Sequence, residues 1–243
     1  MRILLLGGTA EGRDLAGLLA SAGHEVVASV AGRTREAREA EGSRVGGFGG
    51  ASGLADYLSD PATRVDAVVD ATHPFAAQIS SHAAQACAGS GLPLLRLSRP
   101  GWGSHPQAGQ WTWVDDHRQA AVAAGLASGR VLLTVGRQPL PTYHALTDVL
   151  ARVAEWLSGP VPAGWRILAA RGPFDLAAER DLLAGEQITL LVSKDSGGDQ
   201  TAAKLAAAHE LGVAVVMVRR PGSPEGVLEV PDVAGALAWL AQL

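Results

Sequence analysis

Short runs rich in Val, Ile and Leu, each closed by Gly, Pro or a polar residue, recur along the chain with Ala-rich stretches of helical period between them. Continuous apolar runs of this kind mark strands buried on both faces of a parallel sheet, and the stretches between them mark crossover helices. The pattern predicts strands over residues 2–6, 25–30, 67–70 and 93–97, with helices over about 11–22, 53–59 and 76–90. Residues 44–48 and 111–114 are shorter strand candidates. The pattern then restarts: Asp115 and Asp116 cap a helix over 117–128, and strands follow at 130–134, 165–169, 187–192 and 213–218, with a helical stretch after Pro139. Residues 232–243 read as a C-terminal helix with Asp232 as N-cap and Val233, Leu237 and Leu240 on one face. The expected fold class is α/β, with two Rossmann-like doubly wound lobes over 1–116 and 117–243. Their sheets are mainly parallel, and a cleft is expected between the carboxyl ends of the two strand sets.

Composition narrows the class. The chain has 243 residues, 47% hydrophobic and 18% charged, with a mean hydropathy of +0.15, which excludes a disordered polymer. An aromatic share of 5% favours helices packed closely on strands over an aromatic-rich sandwich. Twenty basic and 24 acidic residues give a formal charge of −4, and no Lys/Arg run tracks a phosphate backbone, so nucleic acid is not an expected partner. Cys87 is the single cysteine, which excludes an intrachain disulfide and fits a reduced, cytoplasmic setting. The seven histidines show no metal-ligand spacing, so no protein-ligated metal is expected. The apolar run after Arg2 is too short for a secretory core, and none approaches the ~20 residues of a membrane span.

Candidate chemistry lies where the predicted strands end. The first strand runs into Gly7, Gly8, Thr9, Ala10, Glu11 and Gly12, and a helix with Leu15, Leu18 and Leu19 on one face follows. Strand, glycine turn and helix N-terminus present backbone N–H groups and a partial positive charge, which suits a pyrophosphate. Against the fingerprint G-x-G-x-x-G, Gly7 and Gly12 match while Thr9 stands at the second glycine. Either the turn is wider there or the Thr9 hydroxyl donates to a phosphate oxygen; a turn without a ligand is the plain alternative. The second strand ends in Ser29, Val30, Ala31, Gly32, Arg33, Thr34 and Arg35. No acid is there to hold a ribose 2′-hydroxyl, whereas Arg33 and Thr34 suit a 2′-phosphate, so NADP (as NADPH) is expected over NAD. Arg35 can instead pair with Glu39 on a helix over 34–41.

Thr72, His73 and Pro74 follow the strand at 67–70. At a cleft mouth His73 can donate to a carbonyl or carboxylate, or exchange a proton near neutral pH; a loop histidine bonded to a neighbouring carbonyl fits the sequence equally. In the second half Arg137 and Gln138, then Arg171, then Ser193, Lys194, Asp195, Ser196 and Gly197 follow three strands. Three cations at one edge of an acidic protein point to an anionic ligand with several carboxylates. Residues 193–198, leading into a helix over 201–211, can also form an anion nest. Taken singly, Arg171 reads as a helix cap and Lys194 as a solvated turn residue.

With these residues in hand the chain resembles the precorrin-6A reductases of cobalamin biosynthesis. The resemblance spans essentially the whole sequence and rests on an ordered series: GGTAEGRDLA at 7–16, AGRT at 31–34, DATHPFA at 70–76, LLRLSRPGW at 94–102, VGRQPL at 135–140, ARGPF at 170–174 and SKDSGG at 193–198. It implies NADPH in the N-terminal lobe and a polycarboxylated tetrapyrrole in the cleft. It also implies hydride delivery to ring carbon C19, giving precorrin-6B, and neighbouring enzymes of the pathway as partners. Arg137, Arg171 and Lys194 then become carboxylate clamps, with His73, Asp195 and solvent as candidate proton donors. The alternatives are the cobalt-bearing substrate of the oxygen-independent route, another NADP-dependent dehydrogenase and a nucleotide-sensing module. A Tyr-x-x-x-Lys dehydrogenase is disfavoured, because neither Tyr57 nor Tyr143 has Lys four residues on.

Overall fold

A computed structural model describes residues 1–32, 43–156, 159–198 and 201–243; Arg33, Thr34, Arg35 and the helix expected over 34–41 lie outside them. The chain forms two compact units, Met1–Pro100 with Pro221–Leu243, and Gly101–Arg220.

In the first unit β1 (Arg2–Leu6), β2 (Glu25–Val30), β3 (Arg44–Val45), β4 (Ala67–Asp70), β5 (Leu94–Leu97) and a late strand, β12 (Leu228–Val230), form a sheet of order β12-β5-β4-β1-β2-β3. Every pairing is parallel. Side chains alternate across a strand, and β1 uses both faces. Ile3 and Leu5 pack with Leu15 and Leu19 of α1 (Ala10–Ser21) and Ala236 and Leu240 of a C-terminal helix, Val233–Leu240. Leu4 and Leu6 pack with Leu54 and Leu58 of α2 (Gly50–Ser59) and Ala83 and Cys87 of α3 (Ala77–Ser90). Burial on both faces is what an uninterrupted apolar run such as Ile3–Leu6 requires.

The second unit repeats the plan. Its strands are β6 (Thr112–Val114), β7 (Arg130–Leu133), β8 (Val149–Val153), β9 (Trp165–Ala169), β10 (Ile188–Lys194) and β11 (Ala214–Val218), in the order β6-β11-β10-β7-β8-β9 and again all parallel. Leu132, Leu150, Leu191 and Met217 pack with Leu183 of α5 (Leu176–Gly185) and Leu205 of α6 (Ala203–Glu210). The helix α4 (His117–Gly125) starts on Asp116, whose carboxylate accepts from the N–H groups of Arg118 and Gln119. The C-terminal helix, α7, starts likewise on Asp232.

Three expectations change. The stretch after Pro139 is only a 3-10 turn, Leu140–Tyr143, followed by the unexpected strand β8. The strand expected at 187–192 continues through Ser193 and Lys194. The units divide at Pro100 rather than at 116, because Thr112–Val114 pairs with β11 of the second sheet, while the chain's end returns to the first sheet as β12 and α7.

Candidate active site

Each sheet has a switch point, where strands stop being added on one side and begin on the other, and open parallel sheets bind ligands outside the carboxyl ends of the strands there. In the first sheet it lies between β1 and β4. The Gly7 N–H donates to the Ser29 carbonyl at 2.8 Å, tying the turn to the end of β2. Ser29 is buried, Ala31 exposed and Gly32 half-buried. Thr9 is the N-cap of α1: its hydroxyl accepts from the Gly12 N–H at 3.1 Å and donates to the Ala71 carbonyl at 2.8 Å. Its proton is therefore engaged by the protein, which removes the expected donation to a phosphate. A Cβ on Gly12 would stand 3.1 Å from the Ala71 Cβ, so glycine lets α1 close against the end of β4, the task of the last glycine in a dinucleotide turn.

Glu11 follows Ala10 in the first turn of α1, and its carboxylate accepts two bonds from Arg99 Nη1, at 2.8 and 3.0 Å. Burial acts to raise its pKa, but its own backbone N–H and the Arg99 guanidinium outweigh that and hold it below the usual carboxylate value. Arg99 thus offsets the one acid beside the anion-receptive helix end. It lies in a motif that carried the resemblance, yet only its partner, 88 residues earlier, reveals its task.

The turn after β4 is fixed from beneath. The Thr72 N–H and hydroxyl both donate to Asp70 Oδ1, at 3.0 and 2.6 Å, and Arg96 Nη1 donates to Asp70 Oδ2 at 2.9 Å and to the Ser80 hydroxyl. Asp70 and Arg96 are both 3% exposed. Sequence reasoning missed this pair; its signal was one charge in each of two apolar strands, AVVD and LLRL. His73 is half-buried beside buried Pro74, and its Nδ1 accepts from the Phe75 N–H at 3.1 Å, so the neutral ring carries its proton on Nε2.

In the second sheet the switch point lies between β7 and β10. Lys194 closes β10, while half-buried Arg137 and exposed Gln138 follow β7. Arg171 follows the edge strand β9, where it pairs with Glu155 at 3.3 Å. The expected convergence of three cations is therefore two at the switch point and one at the sheet edge. Ser196 and Gly197 form a buried turn in which the Ser196 N–H donates to the Lys194 carbonyl at 2.7 Å. Ser193 lies within β10 at 1% exposure, and its hydroxyl has no hydrogen-bond partner among the described residues. Strand alternation turns it away from Lys194, out of the expected ligand set.

Asp195 also takes a different task. Its carboxylate accepts from the Trp102 N–H at 2.5 Å and pairs with Arg220 Nε at 3.3 Å, and Arg220 Nε donates to the Asp195 carbonyl at 2.9 Å. These contacts occupy both carboxylate oxygens as acceptors and give Asp195 a structural task in place of the proton donation expected of it. They clasp the two ends of the unit: a Cβ on Gly101 would stand 2.6 Å from Asp195 Oδ1. Beside it opens a cavity of about 390 Å³ walled by Trp111, Trp113 and Arg219.

Sequence reasoning also missed a polar pair close enough to Lys194 for His117 to feel its charge. His117 Nδ1 and the Tyr143 hydroxyl are 2.8 Å apart. Burial, helped by the charge of Lys194, brings His117 down to about 4, and burial pushes the Tyr143 phenol well above its usual value. Burial brings Lys194 down to about 8. Among the described residues no three His, Cys, Asp or Glu gather as metal ligands, and no helix is long and apolar enough to cross a membrane.

The family model described as precorrin-6x reductase CbiJ/CobK matches residues 2–241. The precorrin-6A reductase of Rhodococcus erythropolis is 46% identical over 246 residues, covering 100% of this chain and 98% of the relative. That of Rhodobacter capsulatus is 42% identical over 245 residues, covering 99% and 96%. A solved CobK precorrin-6A reductase superposes with a TM-score of 0.90 at 42% identity, covering 100% of this chain and 96% of the other. With the family model, the relatives and the solved structure each matching nearly the whole chain, it belongs to the precorrin-6x reductase family, oxidoreductases of cobalamin biosynthesis.

Proposed function

We propose that this chain reduces metal-free precorrin-6A to precorrin-6B with NADPH, hydride being delivered to ring carbon C19. The observation that carries the cofactor assignment is the geometry of the first turn: a Thr9-capped helix closed on Ala71 through Gly12, at the switch point where parallel sheets receive dinucleotides. Gly7, Gly8, Ala10 and Glu11 offer backbone to the pyrophosphate, with Arg99 offsetting the Glu11 charge. Ser29, Ala31 and Gly32 border the ribose, and Arg33 and Thr34 hold the 2′-phosphate. The Thr72–Pro74 turn, held by Asp70 and Arg96, supports the nicotinamide, and His73 lies in that turn to hydrogen-bond to it. When bound, the nicotinamide supplies a hydride; the protein's share is chiefly positioning.

Arg137, Gln138, Lys194, Ser196 and Gly197 receive the substrate's carboxylates, with Arg171 taking one at the sheet edge. The tryptophan-walled cavity beside Asp195 suits the flat apolar part of a tetrapyrrole, since Arg219 lies 5.1 Å over the Trp113 ring and can pair with a carboxylate arm. Calorimetric titration with NADPH and NADH tests the cofactor. NADPH is expected to bind at least tenfold tighter, a margin that Arg33→Ala abolishes through one charge-assisted contact, worth roughly 1.5–3 kcal/mol. Equal affinity in the wild type overturns the assignment, and anaerobic turnover with metal-free and cobalt-bearing precorrin-6A, following NADPH loss, identifies the substrate.

A further inference from the structure

A guanidinium drawn out of water costs free energy unless an anion meets it. Buried or half-buried Arg2, Arg96, Arg99, Arg130, Arg152 and Arg220 each pair with a carboxylate. Among the described residues, half-buried Arg137 and Arg44 have no such pair. Arg137 has the substrate's carboxylates; Arg44 stands in the other sheet, on β3, and calls for an anion of its own. It is not a loose surface cation. Its Nη1 and Nη2 donate to the carbonyls of Gly46 and Gly47 at 2.9 and 3.0 Å, and the guanidinium lies 3.7 Å over the Phe48 ring. Phe48 is fixed in turn. Its ring meets Tyr57 of α2 edge-on, and a Cβ on Gly53 would stand 1.8 Å from its carbonyl oxygen, so α2 closes directly on the loop. These partners are all neutral: they hold the guanidinium in place and leave its charge uncompensated.

Position names the anion. The Gly7 N–H donates to the Ser29 carbonyl, Ser29 pairs in register with Arg44, and the Gly46 N–H donates to the Val30 carbonyl at 2.9 Å. The ends of β1, β2 and β3 are thus stitched side by side, each about 4.8 Å from the next. A dinucleotide with its pyrophosphate at the Gly7–Gly12 turn and its ribose over Ser29–Gly32 reaches β3 next. NADPH carries its negative charge on the pyrophosphate and the 2′-phosphate, and the α1 end takes the first. We propose that Arg44 is a specificity-determining residue that contacts the 2′-phosphate and so selects NADPH over NADH. This rests on the reading of the first unit as the NADPH site. With its fork already held by two carbonyls and the Phe48 ring, Arg44 loses little freedom when the phosphate arrives. NADH presents a hydroxyl there and leaves the cation unmet. The phosphate carries nearly two negative charges at neutral pH, so Arg44 adds to the role given to Arg33, and loss of either removes the margin over NADH.

The test is calorimetric titration of the full chain, as wild type, Arg44→Gln and Arg44→Lys, with NADPH and NADH and with the fragments adenosine 2′,5′-bisphosphate and AMP. Arg44→Gln is expected to weaken NADPH and the bisphosphate about tenfold or more, through loss of a charge-assisted contact, while NADH and AMP change by less than about twofold. Arg44→Lys is expected to fall between, because it keeps the charge without the fork. In the wild type, the Arg44 guanidinium signal in NMR is expected to move on adding the bisphosphate and to stay in place on adding AMP, a readout that needs no variant to fold. If Arg44→Gln weakens NADPH and NADH equally, Arg44 is a brace of the glycine loop and the contact is overturned. The same holds if NADPH binding is unchanged, or if the guanidinium signal ignores the bisphosphate. A wild type that binds NADPH no better than NADH overturns the cofactor reading itself, and the contact with it.

Discussion

Thr9 ties three pieces of the first turn with one hydroxyl. It caps α1 through the Gly12 N–H and reaches across to the Ala71 carbonyl at the end of β4. Removing an N-cap oxygen costs roughly 1 kcal/mol, and here a buried carbonyl also loses its donor. Thr9→Val is therefore expected to lower stability by about 2 kcal/mol in urea unfolding while Thr9→Ser keeps most of it; a Val variant as stable as the wild type contradicts the double role. The sequence displayed the G-x-T departure plainly but not its meaning, because the acceptor is 62 residues away. The same limit applies to Arg99 and Asp70, whose tasks are set by distant partners. Lys194 and Arg137 were legible because a cation directly after an apolar strand needs no partner to be noticed. Asp195 looked alike by that measure, and only its bonds to Trp102 and Arg220 separate it from them.

At the level of elements, strand β8 shows what periodicity cannot resolve. Val149, Leu150, Ala151 and Val153 are all buried, yet Arg152 interrupts the apolar run, and the residues before it look helical. Arg152 is tolerated because Nη1 pairs with Glu179 of α5 at 2.6 Å and the guanidinium lies 4.0 Å over the Phe174 ring. Both members are buried, at 6% and 1% side-chain exposure. Breaking such a pair strands a charge and costs ~3–5 kcal/mol, whereas replacing both members with apolar residues is often neutral. Arg152→Met is thus expected to be strongly destabilising, and adding Glu179→Leu is expected to recover most of the loss in thermal unfolding. If the double variant is as unstable as the single one, the pair is doing more than balancing charge. Strand β12 escaped notice for the opposite reason: three residues, mostly exposed, at a sheet edge carry almost no pattern.

At the scale of the whole molecule, the two-sheet α/β plan was readable from alternating strand and helix signals, but the membership of its parts was not. Pairing partners assign β6 to the second sheet and β12 to the first, and the sequence near residue 116 holds no trace of either choice. Because Ala236 and Leu240 of α7 sit in the same core as Ile3, Leu5, Leu15 and Leu95, the first unit depends on residues after Pro221. A chain ending at Arg220 is expected to lose the cooperative unfolding of its first unit and to bind an apolar dye; native-like unfolding of that fragment contradicts this dependence. The return of α7 also sets a timetable for synthesis. As the chain leaves the ribosome, five of the first sheet's strands emerge early, but one face waits until all of Gly101–Arg220 has been translated, on the order of ten seconds at usual rates. During that interval the second unit can fold complete while the older one still shows bare Leu and Val to the cell. A chaperone would thus find its client in the part made first.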